Sequence, residues 1–215
     1  MTNAGLSFLI ADDHPIVLQG MIKLIKDEYP GALIIEASNG NEVLEKVRKV
    51  FFNLLILDIS MPGKNGIEIL KQLKAEEYKM PVLFLSMYPE DQYAVRAIKA
   101  GAYGYLPKSS APEELTHAIR TILSGKKFIP FSLAENLATA IEKNFSEQLH
   151  ETLSDREFDV LKQIASGKTV SQVAEDLSLS AATVSTYRAR ILEKMNMKTN
   201  AELTNYAIKN GLVDL

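Results

Sequence analysis

Carboxylate side chains end two short apolar segments near the start of the chain. Asp12 and Asp13 follow "LSFLIA", and Asp58 closes "LLILD" before a loop that contains Pro62 and two glycines. A charged group beside a core is costly unless something nearby needs its charge. Three carboxylates brought together would repel one another unless a cation lay among them, and a few hard oxygen ligands suit Mg²⁺. The pattern therefore predicts a magnesium site.

Ser86 and Lys108 follow two later apolar segments and can join the same site. A lysine ammonium and a bound Mg²⁺ would together neutralise a phosphoryl group, and a serine hydroxyl could donate a hydrogen bond to it. A carboxylate can serve as the nucleophile in covalent catalysis. The set therefore predicts that Asp58 accepts a phosphoryl group.

Taken singly, these residues have ordinary structural interpretations. Asp13 could cap a helix, Lys108 could be a solvated surface lysine, and a serine such as Ser86 is common at a strand end. His14 is interpreted as a packing or capping residue rather than a metal ligand, because no cluster of His or Cys surrounds it. The order of the set, with each member at a strand end, favours phosphoryl chemistry.

The elements that would position these residues are short apolar strands separated by helical patterns such as Ile16–Lys26. Continuous apolar runs are typical of a parallel sheet covered on both faces. In such a sheet the carboxyl ends of the strands share one edge, where ligands bind. We therefore predict an α/β domain over residues 1–126. The predicted strands are Phe8–Ala11, Leu33–Ala37, Leu54–Leu57, Val82–Leu85 and Tyr103–Leu106.

From about Leu153 onward the pattern predicts helices alone. Three helix starts carry a capping box, in which two residues three positions apart bond to each other's backbone. These boxes are Ser154–Glu157, Thr169–Gln172 and Thr199–Glu202. A short amphipathic helix near Val170 is followed closely by another near Ala181, which predicts a helix-turn-helix. We place an all-α domain at 150–215 and a partly helical linker at 127–149.

The second helix of this pair carries local positive charge. Residues 150–215 hold 8 Lys and Arg against 9 Asp and Glu, yet Ser185–Thr199 has four of these cations and a single acid. Phosphate contacts supply most nonspecific DNA affinity, so a local patch can suffice. Ser185, Thr186 and Ala189 lie opposite the apolar side, and short side chains let a helix approach the major groove. A solvated helix face is the alternative, but the tight helix pair favours DNA binding.

Composition limits the classes of function. The chain has 215 residues, 47% of them hydrophobic and 24% charged, and a net charge of −3, which argues against a generally basic nucleic-acid binder. The absence of Cys excludes disulfides and thiolate chemistry. No apolar run approaches the ~20 residues that span a bilayer, and no signal peptide is recognisable. We therefore expect a cytoplasmic protein without a membrane partner.

The stretches "LIADDHP", "LLILDISMPGKNGIEIL", "PVLFLSM" and "AGAYGYLPKSS" resemble the receiver domain of two-component response regulators. The resemblance implies a flavodoxin-like fold with strand order 2-1-3-4-5 and a sensor histidine kinase that phosphorylates Asp58. The metal ligands it implies for Mg²⁺ are Asp12, Asp13, Asp58 and the backbone carbonyl of Ser60. The residues it implies for sensing the phosphoryl group are Ser86, Lys108 and the aromatic switch Tyr105.

The stretch from "LSDREFDVLKQIASGKTV" to "ARILEKMNMKTNAEL" resembles the LuxR-type DNA-binding domain, and the whole chain resembles the NarL/FixJ subfamily of response regulators. The resemblance implies a four-helix domain whose third helix reads promoter DNA and whose last helix pairs two copies as a homodimer. The predicted DNA-contacting residues are Lys168, Thr169, Thr183, Ser185, Thr186, Arg188, Ala189, Arg190 and Lys194.

Two other functions compete with a phosphorylation-dependent regulator. A phosphatase of the haloacid dehalogenase type also forms an aspartyl phosphate, but such enzymes carry a second acid two residues after the nucleophile, where this chain has Ser60. We therefore expect no enzymatic activity beyond self-directed phosphoryl transfer and autodephosphorylation. A regulator of the same fold could instead work unphosphorylated, through a protein partner or a constitutive dimer. The complete acidic site argues against that alternative.

Overall fold

The computed structural model of the protein describes residues 5–87, 90–110, 112–130 and 148–213. The chain divides into two compact units, Met1–Ile141 and Glu142–Leu215. Most of the predicted linker, 127–149, lies outside the described residues, and its partly helical character stays a prediction. No helix in the described ranges combines the length and the apolar character that crossing a membrane requires.

The first unit contains a five-stranded parallel sheet with the predicted strand order, β2-β1-β3-β4-β5. Its strands are β1 Ser7–Ala11, β2 Leu33–Ala37, β3 Leu54–Asp58, β4 Val82–Ser86 and β5 Gly104–Pro107. Strands β1, β3 and β4 are buried along their whole length, which explains their uninterrupted apolar sequences. Strand β5 begins at Gly104, one residue later than predicted. Its pairing with β4 starts at Gly104 and Leu83, and Tyr103 lies just before it, with its backbone N–H donating to the carbonyl of Val82.

Helices alternate with these strands along the chain. They are α1 Pro15–Glu28, α2 Gly40–Lys49, α3 Gly66–Ala75, α4 Glu90–Lys99 and α5 Pro112–Leu123. The apolar faces of α1 and α5 share one core with the sheet, to which Ile25 and Ile122 contribute. Phe128 is also buried in that core, and it forms an isolated parallel bridge with Gly104. The packed part of this unit therefore continues past residue 126.

The second unit is helical in its described part. A 3₁₀ turn at Leu149–Thr152 precedes α6 Asp155–Ala165, α7 Val170–Asp176, α8 Ala181–Lys194 and α9 Asn200–Lys209. All three predicted capping boxes form, at the starts of α6, α7 and α9. Helices α7 and α8 are separated by a short turn and pack on each other, so the predicted helix-turn-helix is confirmed. The core between the helices includes Phe158, Val184, Ile191 and Leu203.

Candidate functional sites

One edge of the sheet brings Asp12, Asp58 and Lys108 together. The Nζ of Lys108 lies 2.8 Å from Oδ2 of Asp58 and 2.6 Å from Oδ2 of Asp12. The side chains of Asp12, Asp58 and Lys108 are only 0%, 3% and 4% exposed. They follow or end β1, β3 and β5, and parallel strands place those ends at the same edge. The interpretation of Lys108 as a solvated surface lysine is therefore wrong.

Burial controls the protonation of this pair. It raises the pKa of Asp58 to about 6 and outweighs the opposing influence of the Lys108 ammonium. Burial alone would lower the pKa of Lys108, but the charges and hydrogen bonds of Asp58 and Asp12 outweigh it, so that pKa is raised. The lysine is held protonated between two carboxylates, and a single ammonium balances only part of their charge.

Asp13 and His14 border the same carboxylates at the surface. The Nδ1 of His14 lies 2.9 Å from Oδ1 of Asp13 and 3.1 Å from Oδ1 of Asp12. Potential ligand atoms of Asp12, Asp13, His14 and Asp58 all lie within 4.8 Å of one another. Three converging carboxylates fit a hard divalent cation. The N-cap position of α1 belongs to His14 rather than to Asp13, so the helix-cap interpretation of Asp13 is wrong.

The loop between β3 and α3 is shaped around Asp58. The backbone N–H of Ser60 donates to Oδ1 of Asp58 at 3.2 Å. Asn65 is buried and caps α3, with its Oδ1 accepting from the N–H of Ile67 at 2.8 Å. A Cβ on Gly66 would lie 2.4 Å from the carbonyl oxygen of Asp58, a distance that real atoms do not tolerate. Asn65 and Gly66 therefore position the loop that follows Asp58, although the sequence marked them only as part of a turn.

Ser86 and Lys108 are tied to each other through the backbone. The N–H of Lys108 donates to the carbonyl of Ser86 at 2.7 Å, and Ser86 is fully buried at the end of β4. The ring of Tyr105 in β5 is also fully buried. The structure thus places Ser86 beside the lysine at the site and Tyr105 in the adjoining strand, with its ring turned inward.

The predicted DNA-reading face of α8 is accessible. Ser185, Thr186, Ala189 and Arg190 are exposed, whereas Thr183 and Arg188 are half-buried. Val184 and Ile191 occupy the opposite, buried side of the helix. The hydroxyl of Thr186 donates to the carbonyl of Ala182 at 3.0 Å, so this polar group already has a partner within α8.

Two of the predicted DNA-contacting lysines pair with carboxylates. The Nζ of Lys168 lies 2.6 Å from Oδ2 of Asp176, and both side chains are partly exposed. The Nζ of Lys194 lies 2.6 Å from Oε2 of Glu157, whose side chain is only 4% exposed. Thr169 is the N-cap of α7, and its Oγ1 accepts from the N–H of Gln172. The sequence did not predict the two lysine–carboxylate pairs, whereas the Thr169–Gln172 bond belongs to a predicted capping box.

A sheet of order 2-1-3-4-5 with an acidic edge, followed by a helix-turn-helix unit, defines the response regulators as a class, and comparison with known families agrees. Residues 8–120 match the response regulator receiver domain. Residues 151–207 match the bacterial regulatory proteins of the luxR family. The chain belongs to the two-component response regulators of the NarL/FixJ subfamily, with a receiver domain and a LuxR-type DNA-binding domain.

Two curated relatives align with this chain over nearly their whole length. The chain is 32% identical to the response regulator UvrY of Escherichia coli strain K12 over 208 residues, which covers 96% of this chain and 95% of UvrY. It is 32% identical to the response regulator GacA of Pseudomonas aeruginosa over 210 residues, which covers 96% of this chain and 97% of GacA.

Solved structures of RcsB are similar to this chain along nearly its whole length. RcsB from Salmonella enterica serovar Typhimurium, bound to promoter rprA in the presence of phosphomimetic BeF₃⁻, superposes with a TM-score of 0.62 at 25% identity and covers 94% of this chain and 98% of its own. An RcsB–DNA complex superposes with a TM-score of 0.59 at 28% identity, with coverage of 94% and 96%.

Proposed function

We propose that this response regulator accepts a phosphoryl group on Asp58 from a sensor histidine kinase and then binds promoter DNA as a dimer. The observation that carries the proposal is the buried Asp58, with the Lys108 ammonium 2.8 Å from its Oδ2 and with Asp12 beside it. An ordinary core would not retain such a group of charges, because removing carboxylates from water is costly even when they are paired. A phosphoryl acceptor needs this arrangement.

The transfer step follows from the protonation of the pair. With a pKa of about 6, the Asp58 carboxylate is mostly ionised near neutral pH. One of its oxygens attacks the phosphorus of the kinase's phosphohistidine, the O–P bond forms, the P–N bond breaks, and the electron pair returns to the imidazole. The residues that would hold Mg²⁺ are Asp12, Asp13, Asp58 and the carbonyl of Ser60. When bound there, Mg²⁺ supplies positive charge to the phosphoryl oxygens.

The response follows from a change of partner for Lys108. A phosphoryl group on Asp58 attracts the ammonium away from the Asp12 carboxylate, and the hydroxyl of Ser86 can donate to a phosphoryl oxygen. Tyr105, already buried in β5, would be retained in its inward position. The phosphoryl group therefore favours one conformation of the receiver over another, which is sufficient to shift the population of DNA-binding dimers.

The DNA-binding part of the proposal is supported by the exposed face of α8 and by the relatives. RcsB has been solved on promoter DNA with a phosphomimetic, and as two dimers on two parallel DNAs. We propose the same kind of partner for this chain, with a second copy of the chain completing the dimer. We propose that the protein acts in the cytoplasm. Its own chemistry is limited to transfer of the phosphoryl group onto Asp58 and later hydrolysis of the aspartyl phosphate.

Intact-mass measurement tests the acceptor. The full chain is incubated with Mg²⁺ and a small phosphodonor such as acetyl phosphate, and one added phosphoryl group is expected. Asp58→Asn should abolish the adduct, whereas the control Asp27→Asn, at an exposed position of α1, should retain it. An adduct that persists in Asp58→Asn would refute the assignment. Equal dimerisation and DNA binding with and without the phosphodonor would favour the phosphorylation-independent alternative.

A further inference from the structure

The guanidinium of Arg188, in the middle of α8, is bonded to the side chain of Asn200, the first residue of α9. The Nε–H of Arg188 donates to Oδ1 of Asn200 at 2.6 Å across twelve residues of sequence. Arg188 is half-buried, and a long side chain of this kind can cover apolar surface with its stem while its charged head stays in water. The bond therefore restrains a charged group at the edge of the predicted DNA-reading face.

The turn that presents Asn200 is itself restrained. The carboxylate of Glu202 accepts from the backbone N–H groups of Lys198 and Thr199 at 2.7 and 2.8 Å, and the hydroxyl of Thr199 accepts from the N–H of Glu202 at 3.2 Å. These bonds form the capping box that starts α9. Asn200 lies within this box, between Thr199 and Glu202, so the backbone that presents its side chain to the arginine is restrained.

The acceptor orients Arg188 without neutralising it. Within the described part of the chain, no carboxylate oxygen lies within 4.0 Å of the Arg188 guanidinium, so the arginine makes no salt bridge there. Lys168 and Lys194 differ, because each lies 2.6 Å from a carboxylate oxygen. A neutral amide leaves the full positive charge of Arg188 available. Among the residues that the structure describes, only Nε of Arg188 is hydrogen-bonded, so both terminal amino groups of the guanidinium remain to contact a ligand.

A guanidinium with two amino groups available matches the oxygens of a phosphate, which it can bind through two parallel hydrogen bonds. We infer that Asn200 is a positioning residue for DNA binding, which acts through Arg188 by holding its guanidinium towards a phosphate of the DNA backbone. This rests on the proposed DNA-binding function. Restraining the arginine before binding reduces the side-chain entropy that is lost when the contact forms.

A double-mutant cycle tests the inference. Wild type, Asn200→Ala, Arg188→Ala and the double variant are treated with Mg²⁺ and acetyl phosphate as full chains. Their binding to a fluorescein-labelled duplex of random sequence is titrated by anisotropy at several salt concentrations. Asn200→Ala should weaken binding about threefold to tenfold, as loss of one hydrogen bond would. In the Arg188→Ala background the same substitution should have no effect.

The salt dependence separates positioning from a structural role. One lost phosphate contact lowers the slope of log K against log salt by about 0.9. Asn200→Ala should move the slope towards that of Arg188→Ala although it removes no charge. The control Asn205→Ala, at an exposed position of α9, should leave both affinity and slope unchanged. Thermal melting by circular dichroism verifies that each variant is folded.

Other outcomes overturn the inference in distinguishable ways. Equal losses from Asn200→Ala in both backgrounds, or an unchanged salt slope, would mean that Asn200 does not act through Arg188. If the wild type binds DNA and Asn200→Ala binds equally well, the inference about Asn200 is wrong, but the proposed DNA-binding function stands. Failure of the phosphorylated wild type to bind any duplex, even at low salt, would overturn the proposed DNA-binding function together with it.

Discussion

The ammonium of Lys108 donates to Oδ2 of Asp58 across 2.8 Å, although fifty residues separate the two in sequence. The same ammonium lies 2.6 Å from Asp12, so one lysine bridges two buried carboxylates. Such a bridge is stable only while both charges keep their partner. In the proposed function, a phosphoryl group added to Asp58 competes for the ammonium, and Lys108 is the residue through which phosphorylation would affect the rest of the receiver.

Loss of Lys108 should separate phosphorylation from response. Lys108→Ala retains Asp58 and the other acidic residues, so it should still gain one phosphoryl group in the presence of Mg²⁺, at a lower rate. Its dimerisation and DNA binding should respond weakly, because no ammonium pairs with the phosphoryl group. Intact mass and size-exclusion chromatography give the two readouts, with the exposed Lys23→Ala as control. If phosphorylated Lys108→Ala dimerises normally, Lys108 is not required for the response to phosphorylation.

Gly66→Ala should damage the acceptor site from the backbone side. The added Cβ would lie 2.4 Å from the carbonyl oxygen of Asp58, so either β3 or the start of α3 must move. We expect a loss of about 2 kcal/mol in the free energy of unfolding and slower phosphorylation. Gly20→Ala in α1 is the matched control, because its Cβ meets nothing within 4 Å and alanine is the better helix former.

Urea unfolding and the rate of phosphoryl uptake measure the two effects. The expected order of stability is Gly20→Ala, then wild type, then Gly66→Ala. If Gly66→Ala matched wild type in both stability and the rate of phosphorylation, the close approach of α3 to Asp58 would be unimportant for folding and for phosphorylation.

The meeting of Asp12, Asp58 and Lys108 could be predicted because it depends only on the order and direction of the strands. Asp12, Asp58 and Lys108 each follow an apolar run, and parallel strands bring the ends of such runs to one edge whatever the loops do. The distance of Gly66 from Asp58 could not be predicted, because it depends on the path of a loop rather than on strand order. The observed start of β5 differs from the predicted one by a residue, because the extent of β5 depends on its pairing with β4 and not on its own sequence alone.

In the second unit the capping boxes could be predicted because both members lie within one turn of helix. The contacts of Lys194 with Glu157 and of Arg188 with Asn200 could not, because each joins two different helices. A helical wheel shows which side of α8 is exposed, but not which exposed cation has a partner. That difference decides which charges remain available to DNA.

The pair of Lys194 and Glu157 should make the stability of the second unit depend on pH. Burial acts to raise the pKa of Glu157, but hydrogen bonds from Lys194 and Ser154 outweigh it, and the pKa is lowered. A carboxyl group with a lowered folded pKa stabilises the fold above its unfolded pKa, about 4.3. That stabilisation is lost as the pH falls through the lower, folded value.

Lys194→Met keeps the apolar stem and removes the charge. It should reduce the free energy of unfolding by about 1 kcal/mol at pH 7, and the difference from wild type should shrink as the pH falls below about 4. Urea unfolding followed by circular dichroism over a pH series measures this, with the exposed Lys209→Met as control. If Lys194→Met lowers the free energy of unfolding by the same amount from neutral to acidic pH, the loss comes from packing rather than from the ion pair.

The final prediction divides α8 by role. Phosphate contacts fix position on DNA, whereas contacts with base edges specify sequence. Arg188 and Lys194 flank the reading face, so Arg188→Ala and Lys194→Ala should weaken binding to all sequences alike and reduce the salt slope by up to roughly one unit each. Because Lys194 already pairs with Glu157, its effect should be the smaller of the two.

Ser185 and Thr186 should instead determine which sequence is bound. Ser185→Ala removes an exposed hydroxyl, and Thr186→Ser removes a methyl that can contact a thymine methyl while keeping the bond to Ala182. Each disturbed base contact should change discrimination by ~1–3 kcal/mol. Selection from a random DNA library with the phosphorylated wild type should give two half-sites about 10 base pairs apart, as a dimer requires. Each variant should select a motif altered at one position in each half-site, and anisotropy on the two motifs should confirm the preference. Equal losses of affinity on every sequence would show that this face of α8 contacts the backbone and does not read bases.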